Sequence, residues 1–392
     1  MASSRVVNKP PSRTAPAAGR AGRAAAVLGG VRRTTVLLVL AAVVLSFNMV
    51  AGNGSAEDRP ASFSEIAQTD ARAAAVDLAR QAQGLAESPP GDFPEELSRR
   101  EAKVLLGELS SQAEILAGQS ALLTRTGSLR RGSPSSAGPQ AGPVSGAEAP
   151  SAAAYVRSLA ASARSSLNAA LRADAGTARL LASTGAAQQV LALRAADAAG
   201  LEAPELWEPA AAAGGTNTCT NAPSGAPGGD TRVSGAPPAD GGTTVPDAAA
   251  ALQSAIDAEY GAAYAYEVAM ARTSETDSRA DLEAAREDHL AAGARGVQLL
   301  PELCLPALTP APAYSLPPSF SADASGNLAD LEASLPAVYA DLAALGTGNT
   351  RGWAIQRLAE LSTKLYLEDN TVPASPGLDA EPEGLPWAAG TA

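Results

Sequence analysis

"AEYGAAYAYE", residues 258–267, places three of the chain's seven tyrosines and two carboxylates in one alanine-rich run. Read outward, it belongs to a stripe of Leu252, Ile256, Glu259, Ala263, Tyr266 and Met270, at spacings of 4, 3, 4, 3 and 4 residues. Residues three and four apart share a helix face, so the stretch predicts a helix with one carboxylate on its inner stripe. The same rhythm returns in Leu282, Ala285, His289, Ala292, Gly296 and Leu299, and in Leu328, Leu331, Leu335, Val338, Leu342 and Leu345. Ala354, Leu358, Leu361 and Leu365 give a fourth stripe. Four stripes of this period predict an all-α four-helix bundle over residues 244–370. Thr244 with Asp247 and Asn327 with Asp330 read as N-terminal caps, and Gly346 as a helix stop. Pro336 is expected to kink the third helix.

Between the second and third stripes lies "PELCLPALTPAPAYSLPPSFSAD" (301–323), with six prolines. A connection this long lets the helices on either side of it run in the same direction. Upstream, residues 57–208 are alanine-rich, with helical patterns at 62–86, 95–124, 151–173 and 175–199, and read as a second helical bundle. Gln112 and Gln119 interrupt its leucine stripe. The Gly/Pro-rich stretch 209–243 reads as a linker, and 371–392, with no apolar period, as a disordered tail.

The N-terminal region sets an expectation about compartment. Arg5, Lys9, Arg13, Arg20, Arg23, Arg32 and Arg33 precede the first acidic residue, Glu57, and "TTVLLVLAAVVLSF" (34–47) follows them directly. Residues 1–33 then read as a basic cytoplasmic segment, and 34–56 as a signal peptide or a membrane anchor reaching lipid through 34–52. Either way the body is expected outside the cytoplasm, as a cell-membrane-anchored or secreted protein. Without those seven positive charges the formal net charge moves from −12 to −19, which argues against a nucleic-acid partner. In an exported chain the two cysteines, Cys219 and Cys304, are expected to form one disulfide.

His289 is the only histidine, so any mechanism needing two is excluded. Neither a phosphate-binding loop nor a nucleophile elbow is present, and no catalytic residue is assigned. A di-metal site in a helical bundle takes a Glu from each of two helices and a Glu-x-x-His from each of the other two. Glu259 and His289 are the metal candidates, but Arg286 stands three residues before His289 where a Glu is needed. Glu332 reads as lying beside its stripe. Glu360, with Thr363 three residues on, reads as facing away, paired with Lys364 on the surface. The expected alternative to a metal centre is a buried polar cluster of Glu259, Arg286 and His289. Tyr260 and Tyr264, beside the stripe, are read as helix-packing residues.

Residues 247–370, with "AEYGAAYAYE", "EDHLAAGARG" and "APAYSLP" in that order, resemble a ferritin-like domain family of unknown function found in actinobacterial exported proteins. The resemblance covers about a third of the chain and implies a ferritin-like four-helix bundle there, with residues 60–208 similar to the N-terminal half of such proteins. It also implies that "LLASTGAAQQVLAL" (180–193) is a helix that would carry Glu-x-x-His, where this chain has Gln188 and Leu191. The expectation is therefore a non-catalytic envelope binding or structural module with a degenerate metal site and no cofactor. Its partner would be an envelope protein or a second copy. The alternative is an iron- or manganese-binding oxidase or iron-binding protein.

Overall fold

A computed structural model describes residues 60–87, 99–125, 151–209, 247–273, 276–369 and 371–378. The segments 1–59, including the apolar run 34–47, and 210–246, including Cys219, lie outside the described residues, as does Trp387. The described residues are all helix and connection, with no strand, and Ala61–Ala392 is one compact unit.

Among the described residues eight α-helices carry the fold: α1 (Phe63–Ala86), α2 (Arg99–Arg125), α3 (Ala152–Ala170), α4 (Ala175–Ala198), α5 (Ala248–Met270), α6 (Thr276–Leu299), α7 (Ala324–Leu345) and α8 (Gly348–Tyr366). Their starts are chemically marked. Ser62 and Glu65 form a reciprocal capping box on α1, Asp174 caps α4 through the Thr177 N–H, and Asp247 caps α5 through the Ala250 N–H. Each satisfies a backbone donor that the first helical turn leaves unpaired. The α7 cap is Asp323, which accepts from the Gly326 N–H at 2.8 Å, so the helix starts a turn earlier than a cap at Asn327 would place it. Pro336 sits buried inside α7 without ending it.

Contacts at the helix ends fix the topology of the C-terminal bundle. Arg272, just past α5, donates to the Ser321 carbonyl ahead of α7 at 2.5 Å. Asn349, in the first turn of α8, donates to Glu302, just past α6, at 2.7 Å. The segment 300–323, with two short 3-10 turns at Leu300–Leu303 and Pro318–Ser321, therefore carries the chain back along the whole bundle. As a result α6 and α7 run in the same direction, with α5 and α8 opposed to them. Close packing inside the bundle relies on a missing side chain: a Cβ on Gly296 would stand 2.6 Å from Ile256 Cγ1.

The N-terminal bundle has the same topology. Gln68, near the start of α1, donates to the Leu123 carbonyl near the end of α2. The Ser64 hydroxyl accepts from the Asp174 N–H in the α3–α4 turn, and Gln112 and Gln119 reach the Leu191 and Thr184 carbonyls in reverse order along α4. Again the second and third helices are parallel.

One apolar cluster spans both bundles, and a second lies within the N-terminal bundle. α4 is buried at every residue from Leu180 to Ala192, because its outer face meets α7 and α8. It runs beside α8 in the same direction, with contacts climbing together: Arg351 to the Ala173 carbonyl at 2.7 Å, Gln189 to Thr363 at 3.3 Å, and Arg194 to the Tyr366 carbonyl at 3.5 Å. A helix buried on all sides needs an apolar surface all round, and the sequence LLASTGAAQQVLAL supplies it apart from its two glutamines and small hydroxyls.

Residues 371–378, expected to be disordered, instead form an ordered strap. The Ala374 carbonyl accepts from Gln119 at 2.9 Å, and Val372 is buried in the N-terminal core. Gly377 adopts a φ of 79°, and any Cβ there would collide with the Pro336 carbonyl at 2.4 Å. Buried Val372 and Pro376 and one left-handed glycine dock it; such a segment has no period for a sequence reading to detect.

Candidate functional site

The inner stripe of α5 delivers Glu259 to the middle of the C-terminal bundle, where it is fully buried. All of its partners come from other helices. His289 of α6 places Nδ1 2.6 Å from Glu259 Oε2. Tyr339 of α7 donates its hydroxyl to Oε1 at 2.5 Å. Arg357 of α8 donates Nε to Oε1 at 3.0 Å and Nη2 to Oε2 at 3.4 Å. One carboxylate thereby ties together all four helices.

The network continues through His289, whose Nε2 lies 3.0 Å from Glu332 Oε1 on α7. That same oxygen accepts from the Tyr266 hydroxyl at 2.6 Å and from Lys364 Nζ at 2.8 Å. Glu332 Oε2 is buried without a hydrogen-bond partner among the described residues. The Tyr266 ring stacks on His289 with centroids 5.4 Å apart, and Tyr339 meets Trp353 edge-on at 5.2 Å. Toward solvent, Arg357 also donates to Asp288 at 2.8 Å and lies 3.5 Å from Glu360.

The electrostatics follow from this geometry. Burial alone would raise the Glu259 carboxyl, but the His289 hydrogen bond and the Arg357 charge outweigh it and hold the group below the ordinary carboxylate range. Burial likewise opposes Glu332, yet His289 and Lys364 bring it down to about 2. For His289, burial favours the neutral ring, but hydrogen bonds to Glu259 and Glu332 dominate and raise its pKa. Each ring nitrogen faces a carboxylate oxygen, an arrangement that favours the doubly protonated ring. Three anions (Glu259, Glu332, Asp288) thus meet three cations (His289, Arg357, Lys364), which is how a core holds ionised groups without a prohibitive desolvation cost.

Several expectations from the sequence change here. The structure brings Glu259 and His289 together but leaves Arg286 out: its guanidinium lies 3.6 Å from Glu267 on the half-exposed rim. Glu332 is on the inner face, not beside it. Lys364 pairs with Glu332, and Glu360 accepts from Gln356 at 2.9 Å instead. Arg357, which the sequence reading did not select, supplies the central cation. The signal was available: Arg357 stands three residues after Ala354 and four before Leu361, and Glu332 falls four after Leu328 and three before Leu335. Tyr260 packs on Gly293, and Tyr264 lies 6.1 Å from the Tyr314 ring.

The donor set does not fit a metal ion. Both His289 nitrogens are committed as donors, Arg357 has no lone pair to offer, and among the described residues no three His, Cys, Asp or Glu side chains are placed to hold a metal. In the N-terminal bundle the equivalent centre is built mainly of amides and hydroxyls, and its ion pair, Glu108 with Arg194 at 2.7 Å, joins it through Gln112, which donates to Glu108 at 2.8 Å. Gln188 donates to Gln119 Oε1 and accepts from the Ser162 hydroxyl, both at 2.8 Å, and Tyr155 donates to Gln112 at 2.7 Å.

Cys304 is disulfide-bonded and has a left-handed φ of 57° just after the 3-10 turn that closes α6. Cys219, the only other cysteine in the chain, is not among the described residues. No helix among the described residues is long and apolar enough to cross a membrane.

Residues 251–380 match the model of a domain family described as Domain of unknown function (DUF4439). The match covers the C-terminal bundle and the strap, and leaves α1–α4 outside it. No curated protein and no solved structure matches the chain.

Proposed function

We propose that the chain is an exported, non-catalytic ferritin-like module, in which internal cations occupy the place of a metal centre. The observation that carries this reading is the Glu259–His289–Glu332–Arg357 network. Four helices converge their polar groups on one point, and the positive charge there comes from side chains. The single long crossover of the C-terminal bundle is the topology of ferritin-like folds, and the resemblance of residues 247–370 points the same way. The basic N-terminal segment, the apolar run 34–47 and the bonded Cys304 support a location outside the cytoplasm, attached to or released from the membrane, where disulfides persist. In this reading the network is a structural keystone, and function resides in what the surrounding helices bind, an envelope component or a second copy.

The test is elemental analysis of the purified full chain after incubation with Fe(II) or Mn(II). Less than a tenth of an equivalent retained, unchanged by Glu259→Ala, is the expected result. An equivalent or more that disappears in Glu259→Ala would overturn this reading in favour of an iron- or manganese-binding protein using Glu259 and His289.

A further inference from the structure

α6 and α8 run antiparallel across the C-terminal bundle, and Arg357 bridges their seam by donating to Asp288 at 2.8 Å. Seven residues back along α6 and seven onward along α8 are two helical turns in each. That register sets Asp281 opposite Lys364, and here the helices stand apart around an open cavity of about 490 Å³. The Arg357–Asp288 pair lines one end of it, and among the described residues no ion pair joins Asp281 to Lys364. Asp281 is exposed and has no partner among the described residues. Lys364 commits one of its three donors to Glu332 and is 42% exposed, leaving two donors facing the cavity. Glu360 lies on the same wall as Lys364, and Ala284, Ala285 and Leu361 supply apolar lining.

Beside the Arg357–Asp288 pair, the cavity therefore presents the carboxylates of Asp281 and Glu360 and the Lys364 ammonium, together with apolar lining. A simple cation would be repelled by Lys364, which already holds Glu332, and a simple anion would face Asp281 and Glu360. The complement is a small molecule carrying both charges on a short carbon frame, and the volume is within the range of small-ligand pockets. We propose that the α6–α8 cavity binds a zwitterion of the amino-acid class. Its ammonium meets Asp281 and Glu360, its carboxylate meets Lys364, and an aliphatic side chain lies on Ala284, Ala285 and Leu361. This names a ligand for the binding module proposed above and rests on that reading. The two fail separately, since metal content does not depend on Asp281.

Calorimetric titration of the full chain with L-leucine, isoamylamine and 4-methylpentanoate tests it, the last two lacking the carboxylate and the amine respectively. L-leucine should saturate at millimolar concentration or below, with each single-charge analogue weaker by roughly tenfold or more, the effect of losing a charge-assisted hydrogen bond. Asp281→Asn and Lys364→Met should each weaken L-leucine by a similar factor. Because Asp281 is exposed and unpaired, Asp281→Asn leaves the fold intact even if Lys364→Met disturbs Glu332. No heat of binding with L-leucine up to about 50 mM would overturn the proposal. So would isoamylamine binding as tightly as L-leucine, or binding unchanged in Asp281→Asn.

Discussion

The two bundles share a topology and pack against each other but resolve the same problem in opposite ways. Each has polar groups at its centre, where apolar packing alone would be simpler. The N-terminal bundle uses mainly neutral groups, a Ser162–Gln188–Gln119 chain beside a Tyr155–Gln112 pair, which meet one another, backbone carbonyls and, through Gln112, the Glu108–Arg194 pair. The C-terminal bundle uses full charges, three anions against three cations. A missing amide partner costs one hydrogen bond, whereas a missing charged partner strands an ion in a dry interior. The charged centre is the more demanding of the two, and each of its members depends on the others.

The largest expected effect tests that dependence directly. Arg357→Met removes the guanidinium that Glu259 accepts from twice, and should lower the stability of the full chain by about 3–5 kcal/mol in urea titration. Gln188→Leu, at an equally buried position, should cost about 1–3 kcal/mol. Equal losses would remove the energetic distinction between the bundles. Gly296→Ala, which forces a methyl onto Ile256, should cost about 1–3 kcal/mol through overpacking, measured in the same way. At the small end, Arg286→Ala, on the rim with Glu267, should change stability by no more than about 0.5 kcal/mol. A larger loss would return Arg286 to the network.

The pH dependence sharpens the comparison further, because the C-terminal centre is built from titrating groups. Glu259 and Glu332 have folded pKa values below ordinary, Glu332 at about 2. Their contribution is present above the unfolded carboxylate value of about 4.3 and is lost as pH falls toward 2. His289 is raised, so its contribution is complete below its unfolded value of about 6.5 and is lost as pH rises through the folded one. Stability should therefore be greatest between about pH 4.3 and 6.5 and decline on both sides, as read by thermal melts across pH. Gln188→Leu should shift that curve downward without changing its shape, whereas His289→Gln should flatten its alkaline limb.

The helices were legible in the sequence because their periods are long and strong. Leu252 to Met270 could be placed on a face by counting, and Glu259 and His289 with them. Glu332 and Arg357 were not, although both stand at stripe spacing, because a charged side chain at an inner position is the exception that periodicity arguments set aside. Only the meeting of four helices reveals that each charge has a counterpart, and that information is spread over about a hundred residues of chain. Arg286 illustrates the opposite error: adjacency along α6 suggested a partner for His289, but a three-residue step combined with the tilt of the long side chain sends it to Glu267. The 371–378 strap was missed for a third reason, since a docked extended segment carries no period.

The all-round burial of α4 also has a consequence for how the protein is made. Synthesis proceeds from the N-terminus, at roughly 5–20 residues per second, and the helices that cover the outer face of α4 end only at Tyr366. For on the order of ten seconds or more, therefore, the α4 surface around Leu180, Ala187 and Leu191 exists without its cover. During that interval it can be sequestered by α1–α3, by a chaperone, or by the same face of another nascent chain. The parallel pairing of α4 with α8 thus makes completion of the chain a condition for solubility of its first half, and a chain cut within residues 210–246 is expected to yield an aggregating N-terminal piece.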